Sequence, residues 1–202
     1  MKKSPFSLVL CTIIAGLSLA CFPLSADAGE PTDQVKETVD AVVKILSDKE
    51  LKKPEKEKER RAKIRQTVDR RFDFEEMAKR SLSSHWKDQT LAEKKEFVAL
   101  YADLLENRYI RGIERYENEK FVYYDERVDG DYAMVKTKIV DKKGLSTPVE
   151  YRIQKKKDKW EVYDIVIEGV SLVNNYRTQF AQIIRSSSYN DLVKRLREKV
   201  NK

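Results

Sequence analysis

Few residues in this chain could do chemistry. Its 202 residues include one histidine, His85, set in Ser83-Ser84-His85-Trp86. Nucleophilic catalysis needs a base within hydrogen-bond reach of a nucleophile, oriented by a third group. No nucleophile-elbow pattern surrounds any serine, and a lone imidazole beside tryptophan is expected to be packed or exposed. Asp164 stands on a β-rich run. Facing into a curved sheet it could act as a general base, but nothing in the sequence sets a partner beside it. Its expected role is to bond a neighbouring loop or helix terminus, or it faces out. Glu168, at a strand-to-helix junction, reads as a cap or a solvated group.

Metal and thiol chemistry are no better supplied. Carboxylates are interspersed with Lys and Arg, and no His/Cys cluster exists, so no metal site is expected. The two cysteines, Cys11 and Cys21, both lie in the first 28 residues. That stretch has a basic start at Met1-Lys2-Lys3, an uncharged run from Phe6 to Phe22 and a small-x-small end at Ala26-Asp27-Ala28. This is the layout of a secretory signal peptide cleaved after Ala28. A membrane span is a marginal alternative for so short a run. A lipoprotein reading would lipidate Cys21, but Ser18 stands where a Leu-type residue is usual. Cleavage leaves residues 29–202 as a single thiol-free domain. A disulfide framework, a CxxC redox site, a zinc-thiolate site and a cysteine nucleophile are then all excluded.

Lys and Arg number 41 against 34 Asp and Glu, a formal excess of +7. Lys2, Lys3 and Asp27 leave with the leader and lower that excess by one. The signs are well mixed, and export separates the chain from nucleic acid. A membrane surface or a protein partner fits the excess better.

The elements that would position a site follow from hydrophobic period. Pro31-Thr32-Asp33, followed by Val35, Val39, Val42, Val43 and Leu46, predicts a helix over 29–47. Residues 49–63 form a Lys/Glu run broken by Pro54, read as a solvated connection and helix. The helix resumes near Glu55 with a thin seam at Ala62, Ile64 and Val68. Asp73-Phe74-Glu75-Glu76 and Thr90-Leu91-Ala92-Glu93 each read as a capping box. The first opens a short helix. The second opens the longest one, to about Tyr116, with an aromatic face through Phe97, Tyr101, Leu105, Tyr109 and Ile113.

After residue 119 the period shortens to two. Strands are predicted over 121–127, 132–140, 147–154 and 160–167, joined by short turns such as Asp129-Gly130. They make a four-stranded antiparallel meander with one polar and one apolar face. Glu168 to Ser171 then hands over to helix, with Ser171 as N-cap, and Ser188 starts a last helix. The fold class is α+β: helices, a curved sheet, then two more helices.

Three stretches resemble the MlaC family, also called toluene-tolerance auxiliary proteins. One is Phe72-Asp73-Phe74-Glu75-Glu76-Met77-Ala78 with Leu82 and Trp86. The second is the helix from Thr90 to Leu105. The third and most specific is Trp160 to Ile165, continuing through Ile167-Glu168-Gly169-Val170-Ser171-Leu172-Val173 to Asn175-Tyr176-Arg177-Thr178-Gln179-Phe180. Two departures concern local turn geometry: the family usually has glycine at the place of Ser83, and often near Ser187.

The resemblance implies a monomeric periplasmic carrier that holds phospholipid as cargo and uses no cofactor. It implies partners on both sides: an outer-membrane lipoprotein complex, and an inner-membrane ABC permease with its substrate-binding membrane protein. Lipid moved between them would maintain outer-membrane asymmetry. The implied fold packs helices on a twisted four-stranded sheet, an NTF2-like cone, with lipid tails inside and the headgroup near solvent.

Each acyl CH₂ left in water costs about 0.8 kcal/mol, so a long chain costs on the order of 10 kcal/mol. A carrier has to cover it. Two tails call for a pocket of roughly 1,000 Å³ or more. Residues inward by period, with the junction of the third motif, are the candidate lining: Tyr101, Leu105, Tyr109, Val135, Tyr151, Ile153, Val162, Val170, Leu172, Val173, Tyr176 and Phe180. Two other readings compete: a cone-fold enzyme using Asp164 or His85, and a periplasmic interaction module whose apolar faces form a solid core. The non-enzymatic carrier is the reading adopted.

Overall fold

The computed structural model describes residues 29–200; the leader expected over 1–28 lies outside them. Helix α1 (Glu30–Ser47) has Pro31 in its first turn and Gly29 as N-cap. The charge run that follows contains a single 3-10 turn at Pro54–Lys56 and then α2 (Glu57–Asp69). Helices α3 (Phe74–Leu82) and α4 (Leu91–Ile113) come next. The sheet comprises β1 (Lys120–Asp129), β2 (Tyr132–Val140), β3 (Ser146–Lys156), β4 (Lys159–Ile167) and β5 (Val170–Ser171). The chain closes with α5 (Leu172–Ser186) and α6 (Tyr189–Val200). None of the helices among the described residues is long and apolar enough to cross a membrane.

The capping signals act as their chemistry dictates, with one exception. Thr90 and Glu93 form the full reciprocal box at the start of α4. Asp73 accepts the Glu76 N–H at 3.0 Å, but the Glu76 carboxylate does not reach back. Arg80 and Lys79 hold it instead, at 2.8 and 3.1 Å. Half of the expected box is therefore missing: the Asp73 N–H donates to the Val162 carbonyl of β4 at 2.9 Å, and the two cations one turn on hold the carboxylate.

The α+β class holds, and all neighbours in the β1-β2-β3-β4-β5 order are antiparallel. The fifth strand is an addition to the expected four. Glu168 and Gly169 adopt positive φ, 50° and 82°, which makes the link a tight hairpin turn. Val170 and Ser171 then pair back onto Ile167 and Val166 before Ser171 caps α5 through the Asn174 N–H at 3.0 Å. Two irregularities bend the sheet, one beside Tyr124 on β1 and one beside Tyr163 on β4.

Ser83, where the resembled family usually has glycine, has φ 54° and ψ −126°. A side chain there opposes the backbone conformation, and glycine would not. At Ser187 φ is −141°, so no such demand exists.

Three apolar clusters hold the fold. The largest joins α3 to α6 and is aromatic at its centre. Phe97 meets Phe180 edge-on at 5.6 Å, and Tyr101 meets Tyr176 edge-on at 5.5 Å. A second packs Val35 of α1 against Val135, Ile153, Trp160 and Val162 of the sheet. A third joins Leu46, Ile64 and Ile110 across α1, α2 and α4. The segment 71–73 is zipped to β4, with Val162 N–H donating to the Arg71 carbonyl at 2.8 Å and Asp73 N–H to the Val162 carbonyl at 2.9 Å.

Candidate functional site

The three clusters surround a cavity of about 460 Å³. One side is α1, through Val35, Val39, Val42, Val43 and Leu46. Ile64 and Val68 of α2 and Leu105, Tyr109, Ile110 and Ile113 of α4 form another. The sheet closes it with Phe121, Ile139, Val149, Tyr151, Val162, Ile165 and Ile167, and Leu172 and Phe72 complete the wall. Most of these apolar side chains, Val39, Val42, Ile165 and Ile167 among them, are only half-buried. Their uncovered area faces this interior space. A folded protein usually packs such residues against one another.

The bulge at Tyr163 builds part of this wall. Across it the register steps from Ile153 opposite Val162 to Tyr151 opposite Ile165 and Val149 opposite Ile167. One extra residue reverses the alternation. Val162, Ile165 and Ile167 therefore share the cavity face, while Asp164 turns to the opposite one.

Charged groups in the wall are engaged with protein partners. Arg71 donates to Thr38 Oγ1 at 3.0 Å and to the Trp160 carbonyl at 2.8 Å, and it bonds Gln34. Burial lowers its guanidinium from its ordinary value. Arg65 pairs with Asp103 and Glu106 across α2 and α4. The Tyr151 phenol is pushed up to about 12 by burial, and the Tyr109 phenol is raised for the same reason. Both hydroxyls are neutral at ordinary pH.

Of the residues nominated from the sequence, Leu105, Tyr109, Tyr151, Val162 and Leu172 stand on the wall. The others correct the assumption that inward means lining. Tyr101, Val173, Tyr176 and Phe180 belong to the packed helical cluster, where the Tyr101 hydroxyl is bonded to that of Ser81 at 3.0 Å. Val135 and Ile153 are buried under the N-terminal half of α1. Val170 is 56% exposed on the outside of the short β5 hairpin. The volume is also about half of that expected for two tails.

The seam of α1 was visible in the sequence as one face of a helix. Nothing there indicated that it faces a cavity. Ile165 and Ile167 carried no such signal, since the bulge that turns them inward has none.

Neither candidate catalytic residue reaches the wall. Asp164, 3% exposed, accepts from Ser171 Oγ at 2.6 Å, from the Val173 N–H at 3.0 Å and from Arg152 at 3.3 Å. It anchors the start of α5. His85 lies half-buried in a 3-10 turn after α3. Among the described residues no group of His, Cys, Asp and Glu could hold a metal ion.

Comparison with known proteins gives this geometry a context. The sequence profile of the MlaC protein family matches residues 36–198. The intermembrane phospholipid transport system binding protein MlaC of Haemophilus influenzae is 23% identical over 122 residues, covering 58% of this chain and 57% of that protein. The chain thus spans a little over half the length of that relative. A phospholipid-binding protein from Ralstonia solanacearum, solved in complex with a phospholipid, superposes with a TM-score of 0.76. It is 24% identical, and the match covers 86% of this chain and 98% of that one. That likeness establishes the fold, and the profile spans most of the sequence from α1 to α6: the chain belongs to the MlaC family.

Proposed function

We propose that this protein is a periplasmic phospholipid carrier. The observation that carries the reading is the apolar cavity, whose aliphatic and aromatic wall residues remain half-buried. Covering an acyl chain returns about 0.8 kcal/mol per CH₂. A wall of valine, isoleucine, leucine and phenylalanine side chains supplies that cover without covalent chemistry. At about 460 Å³ it lies within the usual range for ligand pockets. Holding both tails inside requires the wall to open further. The headgroup stays near solvent, beside the polar residues of the wall.

In this reading residues 1–28 direct export and are removed after Ala28, and the domain works between the two membranes. It exchanges lipid with an outer-membrane lipoprotein complex and with an inner-membrane ABC permease and its substrate-binding membrane protein. Both relatives named above are described as phospholipid proteins, which supports the choice of cargo.

The test is to purify the processed protein from bacterial periplasm, extract it with organic solvent and identify the lipid by mass spectrometry. About one phospholipid per chain is expected, with uptake from vesicles by the delipidated protein. No bound phospholipid and no uptake would overturn the reading.

A further inference from the structure

Helix α1 has no side-chain cap of its own. Its N-cap is Gly29, with φ −69° and ψ 166°, and Glu126 of β1 takes the capping role from across the fold. Glu126 Oε2 accepts the Thr32 backbone N–H at 2.8 Å and the Thr32 hydroxyl at 2.5 Å. The other oxygen, Oε1, lies against Gly29: a Cβ on that residue would stand 2.0 Å from it. A Cβ sits about 2.5 Å from its own backbone nitrogen. The Gly29 nitrogen is therefore within about 4.5 Å of Oε1.

Gly29 also directly follows Ala26-Asp27-Ala28, the small-x-small end of a leader. We propose that Glu126 is the binding site for the α-ammonium that cleavage between Ala28 and Gly29 creates. The proposal rests on the exported-carrier reading above. Hydrolysis adds water across the amide. The water oxygen goes to the Ala28 carboxylate, and the Gly29 nitrogen takes both water protons and becomes –NH₃⁺ with three donors. A bare cation opposes the dipole at a helix N-terminus, and the Glu126 carboxylate offsets it. A side chain at this position would meet Oε1 and displace the carboxylate from the helix end.

The carboxylate next in sequence to Gly29 is already engaged. Glu30 pairs with Lys155 at 3.3 Å. The consequence concerns the cavity, since α1 carries Val35, Val39, Val42 and Val43 of its wall. The ion pair fixes the first turn of that helix to β1, so processing completes the closure of the wall.

Two measurements test this. Intact mass of the periplasmic protein should give a chain starting at Gly29; another start residue overturns both the cleavage site and the proposal. On protein that does start at Gly29, NMR titration should place the α-amine at least one pH unit above the ordinary 7.7–8.0 of a free N-terminus. Glu126→Gln should remove that rise. An α-amine that titrates alike in both proteins overturns the proposal and leaves the carrier reading intact. Should Glu126→Gln fail to fold, N-terminal acetylation of the wild-type chain replaces it, with a loss of several degrees in Tm expected. An unchanged Tm overturns the ion pair.

Discussion

The Asp164 carboxylate accepts the backbone N–H of Val173 at 3.0 Å. With Ser171 Oγ at 2.6 Å and Arg152 at 3.3 Å, its capacity is spent on anchoring α5 to β4. Removing it leaves a helix N-terminal N–H and a guanidinium short of a buried partner. Asp164→Ala should lower the unfolding free energy by about 2–4 kcal/mol, and Asp164→Asn by less. Urea unfolding followed by circular dichroism measures this. A loss below about 0.5 kcal/mol, the scale of a surface change, would contradict the anchoring role.

Ser83 holds φ 54° and ψ −126°, a conformation that glycine adopts freely and other residues resist. Its side chain is exposed and among the described residues makes no hydrogen bond that its loss would remove. Ser83→Gly should therefore raise stability by about 1 kcal/mol, the net of relieved strain and greater freedom in the unfolded chain. A Tm equal to or below that of the wild type counts against the strain.

The cavity wall and the solid core should respond in opposite ways. Val39 and Val42 are half-buried and face the cavity. Val39→Trp with Val42→Trp should fill it, leave the protein folded and reduce phospholipid loading at least five-fold. Phe180 is 3% exposed within the aromatic cluster. Phe180→Ala should cost about 3–5 kcal/mol while each folded molecule still loads lipid. Mass spectrometry of extracted lipid, normalised to folded protein, separates the two. Equal loading in the tryptophan variant would remove the cavity as the cargo site.

This contrast marks what was legible in the sequence. Hydrophobic period located the helices and the first four strands, because each buries one face and the period names that face. It could not say what the face meets. Tyr101, Leu105 and Tyr109 follow one another on a single stripe of α4, yet Tyr101 is packed against Tyr176 while Leu105 and Tyr109 line the cavity. The stripe runs out of the helical cluster and into open space, a fact of tertiary placement. On β4, alternation puts Val162, Asp164 and Val166 together; the bulge at Tyr163 brings in Ile165 and Ile167 instead. Such a bulge requires no particular residue type. The β5 hairpin had a weak signal in Glu168-Gly169, whose first residue is not one that positive φ favours.

Tyr151 gives the wall a pH signature. Burial pushes its phenol up to about 12, from an ordinary value of about 10. Below pH 10 both folded and unfolded chains hold the proton, and stability is unaffected. Above it the unfolded chain ionises first, so stability is lost as pH rises towards 12, by about 2 kcal/mol. Tyr151→Phe should remove that share and flatten urea midpoints measured between pH 9.5 and 11.5. The remaining slope belongs to other buried phenols, including Tyr123, which burial also raises. An unchanged slope in Tyr151→Phe would mean that the hydroxyl is hydrated through the cavity.

The acid limb should report on the wall between α2 and α4. Glu114, just past the end of α4, accepts from Arg61 and from Arg60, each at 2.8 Å. The hydrogen bond from Arg61, with Arg60 beside it, holds its carboxyl below the usual 4.5. A depressed carboxylate stabilises the fold above its unfolded value, and that stability is lost as pH falls through the folded value. Glu114→Gln should cost about 1 kcal/mol at pH 7, and the difference from the wild type should shrink as pH falls through the folded value of Glu114. Because this carboxylate ties α2 to α4, the variant at pH 7 should also release bound phospholipid to vesicles several-fold faster. A stability difference that does not shrink at any acid pH where the protein stays folded would assign the effect to packing and not to charge.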